Sequence, residues 1–497
     1  MKKPLFFTLF IALLFLASCA VSNKNYNPGK KYSRFQLQQD YSLLRNILEK
    51  KHPALYWYTP KDSMNFYFDS LYNSIADSMT ELQFGWQVLA PLTQKIHCGH
   101  TSFGMSSSWD KYIKDKIIPS FPLYMRVWDD TMVVIGNINK KDSIIKTGTL
   151  ITSINGMRNK EIVQKLFQYM PLDGYSKNVN YLRLSSNFPY YHRNVFGIYK
   201  NYRVGFLDSL GTEKTVLLPM YNPLADSATK KAAFDSTKKK QHKPTKKQRR
   251  ESSRFISIDT SINAAIITLN TFTNGEGRHL RKFINHSFKT IKKRQIKNLI
   301  LDLRSNGGGD VDMSILLTKY LRNSPFKVAD SAYAIARSLN PYQKYIKPGF
   351  INNISLFFIS KKKKDGFYHF GYVERHLFKP KPKNHFNGKL YILTSGLTFS
   401  ASSLFCNAVK GQSNVCIAGE ETGGGWYGNS GLLIPEIILP VTKLKVRLPL
   451  FKIVQFHHIE TKGIGVLPDI FIPPSVENIR HNIDKKMTFI KELIKSR

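Results

Sequence analysis

The 497-residue sequence predicts an α/β core built on a mostly parallel sheet, preceded by a small helical domain and a β-rich domain. Two observations predict the core. Beyond residue 255, short apolar strand-like runs alternate with helical stretches, the order that generates βαβ units with helices packed on the sheet. Two of those runs end in Gly- and Ser-rich turns, where parallel sheets place their sites. The 42% hydrophobic content suffices for two to four domains and excludes a disordered or fibrous chain.

The elements follow in order. Lys2-Lys3, the apolar run Leu5 to Leu16 and the small residues Ala17 and Ser18 read as an export signal over residues 1–18, too short to span a membrane. Leu16-Ala17-Ser18-Cys19 resembles the bacterial lipobox. That resemblance implies lipid attachment at Cys19 and a linker over residues 19–33. Ala20, where an acidic residue would retain the protein, implies an outer-membrane lipoprotein of the bacterial cell envelope facing the periplasm. Cys98, Cys406 and Cys416 are then the remaining thiols, too few for a disulfide scaffold.

Residues 34–105 read as a helical domain, with Leu43, Leu44, Ile47 and Leu48, then Phe66, Phe68, Leu71 and Ile75, at helical spacing. Pro53 and Pro60 fall between helices. Over residues 106–222 the period shortens to strands at Tyr124 to Val127 and Met132 to Ile135, with a hairpin turn at Asn155-Gly156 and a helix around Ile162 to Phe167. This order resembles a PDZ module. Residues 223–254 form a basic linker with almost no large apolar side chains. The formal charge of the whole chain is +40, and its most visible clusters are this linker, from Lys230 to Arg254, and Lys361 to Lys364. No nucleic-acid motif accompanies the charge and export argues against that partner; attraction to an anionic membrane surface is the simpler functional reading, and a lysine-rich compositional bias without function is simpler still.

Residues 255–478 hold the core: strands Asn263 to Leu269, Asn298 to Leu303 and Lys389 to Thr394, and helices Arg278 to Ile291, Met313 to Leu321 and Ser400 to Val409. A terminal helix is expected over residues 479–497.

Two turns carry the chemistry. In Asp302-Leu303-Arg304-Ser305-Asn306-Gly307-Gly308-Gly309 three glycines let the backbone amides approach an anion. No Lys-Ser/Thr pair follows, which argues against a phosphate loop. In Ser395-Gly396-Leu397-Thr398-Phe399-Ser400-Ala401-Ser402, Ser400 stands at a helix start, as an N-cap or as a nucleophile favoured by the helix dipole.

Together the two turns resemble the core signature of the tail-specific, carboxyl-terminal-processing and tricorn peptidases, over about residues 255–474. The resemblance implies a ClpP/crotonase-like core, a serine peptidase activity on polypeptide substrates and no cofactor. It implies Ser400 as nucleophile, with an oxyanion hole from Ala401 and Gly307 or Gly308. The branch with a lysine base has it in a segment that here reads Gly419-Glu420-Glu421-Thr422-Gly423-Gly424-Gly425, so Gly425 occupies its place. The tricorn branch takes a histidine from an N-terminal Gly-His-Thr segment, here Gly99-His100-Thr101, and a glutamate about sixty residues after the serine, here Glu460. The expected triad is therefore Ser400, His100 and Glu460. Gly99 departs from the tricorn core, which has a serine there.

Two other readings stand beside this one. His97, Cys98 and His100 with His457 and His458 could be metal ligands, but His-Cys-x-His lacks the usual zinc spacing, and no metal is expected. Glu420, Glu421, Asp302 and Arg304 are read as holding their loops. The same fold also serves as a retinoid carrier, so the alternative function is a non-catalytic ligand- or peptide-binding lipoprotein.

Overall fold

The computed structural model describes residues 26–222 and 245–496, except 115, 117, 140, 141 and 276. The export signal, Cys19 and most of the basic linker lie outside the described residues. Among the described residues no helix is long and apolar enough to cross a membrane.

The chain opens with helices α1 (Arg34–Lys51) and α2 (Lys61–Asn73). Ser33 caps α1 in a reciprocal pair with Gln36, satisfying amides that the first turn leaves open. Leu37, Tyr41, Leu44, Ile47 and Leu48 face inward at helical spacing, while Phe66 on α2 is exposed. After the short strand β1 (Phe103–Gly104) comes an antiparallel sheet of β2 (Leu123–Trp128), β3 (Thr131–Asn137), β4 (Leu150–Ile154), β5 (Asn201–Leu207) and β6 (Glu213–Pro219), adjacent in that order. Helices α3 (Asn159–Phe167) and α4 (Asn178–Phe196) complete this unit and its own core. At the Asn155-Gly156 turn both residues have positive φ, 51° and 83°, as a two-residue hairpin turn with matching twist requires.

The main sheet is built from β7 (Arg254–Asp259), β8 (Ala264–Leu269), β9 (Asn298–Asp302), β12 (Lys389–Thr394), β13 (Val415–Gly419) and β18 (Ile470–Phe471), in that order. Only β7 runs antiparallel; the others are parallel, joined through helices α5 (Leu280–Lys293), α6 (Val311–Leu321) and α8 (Ala401–Val409). Central strands read as near-continuous apolar runs because both their faces are covered, one by these helices and the other by α9 (Lys485–Lys495).

What the sequence reading does not anticipate is two further sheets within residues 255–478. One contains β10 (Ala329–Ala334), β17 (Phe451–Gln455) and β14 (Gly428–Gly431), extended by the strands Lys361–Lys362 and Tyr368–His369. The other contains β11 (Ile346–Lys347), β15 (Glu436–Ile438), β16 (Lys445–Arg447) and, from far upstream, β1. Helix α7 (Gly349–Ile359) lies between β11 and the strand at Lys361. The N-terminal helices bury their apolar faces against this insertion in one shared cluster that joins Leu44 and Ile47 to Ile437, Val446 and Phe451. Asp40 on α1 fixes the contact, accepting from the amides of Val441 and Thr442 at 2.9 and 2.8 Å. The segment bearing His100 is thereby clamped to the main core.

Candidate active site

Ser400 ends the turn after β12 and caps α8 with φ 54° and ψ −122°, a conformation that side-chain-bearing residues rarely adopt and that surrounding structure must enforce. Three bonds to the neighbouring turn supply that enforcement. The Phe399 amide donates to the Asn306 carbonyl at 3.1 Å, the Thr398 hydroxyl to the Leu303 carbonyl at 2.9 Å, and the Ser395 hydroxyl to the Arg304 carbonyl at 2.6 Å. The two turns singled out in the sequence are thus one surface.

His100 enters from the N-terminal segment. Its Nε2 lies 3.1 Å from Ser400 Oγ across 300 residues of chain, and its ring leans on Phe399 with centroids 5.0 Å apart. The ring is almost wholly buried, and desolvation, reinforced by Arg447 and Arg183, pushes its pKa down to about 3, so it is neutral at pH 7. Its Nδ1 is buried and has no hydrogen-bond partner among the described residues.

Glu460 is not brought to His100, which corrects the expected triad. Its side chain is 94% exposed, and His458 Nε2 lies 3.8 Å from its carboxylate. The reason is local: beyond Gln455 at the end of β17 the chain turns outward through His457, φ 56°, and carries the glutamate into solvent. Spacing along the chain matched the expectation, but the direction of the loop did not.

A carboxylate that sequence reasoning missed stands nearby. Asp173 is buried and accepts from the Gly99 amide at 3.2 Å and from the Gly425 amide at 3.0 Å. It ties the residue before His100 to the Gly423-Gly424-Gly425 segment. Burial raises its pKa to about 6, although both amides and Arg183 oppose the shift. No motif surrounds it in the sequence. The absence of a side chain at Gly99 also finds its cause here, because a Cβ would sit 2.4 Å from Phe399 Cζ.

The expected oxyanion donors divide. Gly308, φ +97°, packs so tightly that a Cβ would lie 2.8 Å from Ser400 Cβ and 3.0 Å from Ala401 N. Its own amide, however, donates to Asn306 Oδ1 at 3.0 Å. Ala401 is at the first position of α8, where an amide has no partner within the helix. Gly307 faces open space rather than packed atoms.

The histidines and cysteine considered as metal ligands go separate ways. His97 Nδ1 meets the Gly174 carbonyl at 2.7 Å, Cys98 meets the Ser430 hydroxyl at 2.7 Å, and among the described residues no cluster of three or more His, Cys, Asp and Glu forms. Arg304 grips Asp302 and Asp484, Glu421 accepts from the Gly465 amide at 2.6 Å, and Glu420 pairs with Lys486. A cavity of about 260 Å³ opens beside Gly99, lined by Trp86, Phe103, Tyr190, Tyr191, Arg183 and Arg447. The arrangement offers a hydroxyl in a strained turn, a neutral imidazole against it and a helix start behind it, which together suit attack on a carbonyl.

Residues 263–472 match the model of Peptidase family S41. No curated protein matches the chain by sequence. Among solved structures, a CPAF mutant aligns at 13% identity over 93% of this chain and 97% of its own, with a TM-score of 0.62. Mature CPAF complexed with lactacystin aligns at 14% identity over 93% and 99%, with a TM-score of 0.58. At that identity the likeness speaks for the fold.

Proposed function

From the premise that residues 263–472 form the catalytic core of a serine peptidase of family S41, we propose that Ser400 and His100 hydrolyse peptide bonds of polypeptides through an acyl-enzyme. The observation that carries the assignment is the 3.1 Å approach of His100 Nε2 to Ser400 Oγ.

Ser400 Oγ attacks the scissile carbonyl carbon while its proton passes to His100 Nε2. The carbonyl oxygen takes the negative charge, next to the Ala401 amide and the Gly307 turn, at the positive end of α8. Collapse breaks the C–N bond, and the amine leaves with the proton from His100. Water then cleaves the ester with His100 as base again. Burial keeps the ring unprotonated and ready to accept. Asp173 is a positioning residue: it holds the Gly99 amide, and through it the ring, against the segment that ends at Gly425.

The export signal and the lipobox-like Cys19 support an envelope lipoprotein acting on periplasmic or tail-exposed chains, with the β-rich unit in the place of a PDZ module. The test pairs hydrolysis of an unfolded polypeptide with fluorophosphonate labelling. Wild type turns over and is labelled at Ser400, whereas Ser400→Ala and His100→Ala each lose roughly a thousandfold or more of the rate, with the Ser400→Ala melting temperature unchanged. Labelling elsewhere, or a Ser400→Ala protein that still cuts, rejects the assignment.

A further inference from the structure

Helix α7 projects from the insertion with its apolar side outward. Phe350, Ile351, Ile354, Phe357 and Phe358 are 68, 63, 41, 52 and 78% exposed, while Gly349, Asn352 and Leu356 are buried. At about 100° per residue the five exposed side chains fall within roughly 120° of arc, opposite the buried three. They form one continuous apolar stripe, and stripes of this kind on a soluble surface mark a contact.

The rim of the stripe names the contact. Residues 344–364 contain six lysines and no acidic residue, with Lys344 and Lys347 ahead of the helix and Lys361, Lys362, Lys363 and Lys364 behind it. All six are exposed; Lys363 also reaches Glu374. Arg337 braces the helix, donating to the Phe357 carbonyl at 3.1 and 2.7 Å and covering that ring at 4.0 Å.

We propose that α7 is a membrane-docking element that seats its Phe/Ile stripe in the surface of an anionic lipid bilayer, with the flanking lysines on the headgroups. Aromatic and aliphatic side chains at the acyl boundary with lysines at the phosphate level are the composition of interfacial helices. A second copy of the chain is disfavoured as occupant, because a twofold contact on this face would bring both sets of lysines together. The inference does not rest on the hydrolytic reading or on acylation of Cys19.

The test uses the mature chain from residue 19 onward carrying Cys19→Ser, so that neither the apolar run Leu5 to Leu16 nor an acyl group contributes. It is floated with vesicles of phosphatidylethanolamine and phosphatidylglycerol, or of phosphatidylcholine alone. The protein is expected to float with the anionic vesicles, to release in high salt, and to stay behind with the neutral ones. Phe350→Ser combined with Phe358→Ser alters two exposed side chains. It is expected to lower the bound fraction about tenfold while polypeptide hydrolysis in solution is unchanged. Failure of the Cys19→Ser chain to float, equal flotation of the double variant, or equal binding to neutral vesicles overturns the proposal. So does a dimer in sedimentation that the double variant dissolves without any vesicle binding.

Discussion

At the level of single residues, the site depends on atoms that are absent as much as on those present. Gly99 leaves room for the Phe399 ring on which His100 leans, so Gly99→Ser is expected to displace that ring, cost about 1–3 kcal/mol in denaturant unfolding and lower kcat together with it. Asp173→Asn keeps shape and one acceptor but loses the other. It is expected to reduce kcat more than to raise KM, and a pH profile shifted relative to wild type separates this positioning effect from mere loss of stability. The juxtaposition of Ser400 and His100 was legible only through the family resemblance that their two segments carry, since neither run by itself points to the other across 300 residues. Asp173 was not, since a lone aspartate in Leu172-Asp173-Gly174 has no pattern to mark it. Glu460 matched in spacing, yet an outward loop put it in water, a property that spacing does not encode.

Among the elements, the connection between the main sheet and the terminal helix is ionic. Arg304 at the end of β9 holds Asp302 and, at 2.6 and 2.8 Å, Asp484, which also caps α9 through the Met487 amide. Arg304→Ala leaves the nearly buried Asp302 uncompensated. A loss of about 3 kcal/mol in denaturant unfolding is expected, with Asp302→Asn in the same background restoring part of it. The strands that sequence reading placed, with Lys389–Thr394 matching at both ends, are buried on two faces and spell out apolar runs. The missed sheets consist of strands of two to six residues whose partners lie up to about 340 residues away, as β1 does from β16. Pairing at that range leaves no periodicity in a local window.

For the whole molecule, buried histidines set the response to acid. His52 and His100 are pushed down to about 3 and His192 to about 4 by desolvation, from an ordinary value of 6.5. Below pH 6.5 the unfolded chain takes up protons that these rings refuse when folded, so stability falls as pH drops, by about 2 kcal/mol per ring at pH 5. Asp173, raised to about 6 from 3.8, acts oppositely: its folded form binds a proton that the unfolded chain has released, which offsets about 1 kcal/mol at pH 5. A melting temperature that declines from pH 7 to pH 5 in calorimetry is the expected outcome; a flat profile contradicts the burial of these rings. The same low value places the acid limb of kcat/KM well below pH 6.5 while the chain stays folded.

The 300-residue span between His100 and Ser400 has a temporal consequence. Neither partner meets the other until the helices ahead of residue 100 have packed onto strands more than 300 residues downstream. Nucleophile and base therefore become a pair only through that long-range closure. A site divided in this way between distant parts of the sequence leaves the serine without its partner for as long as the two remain apart.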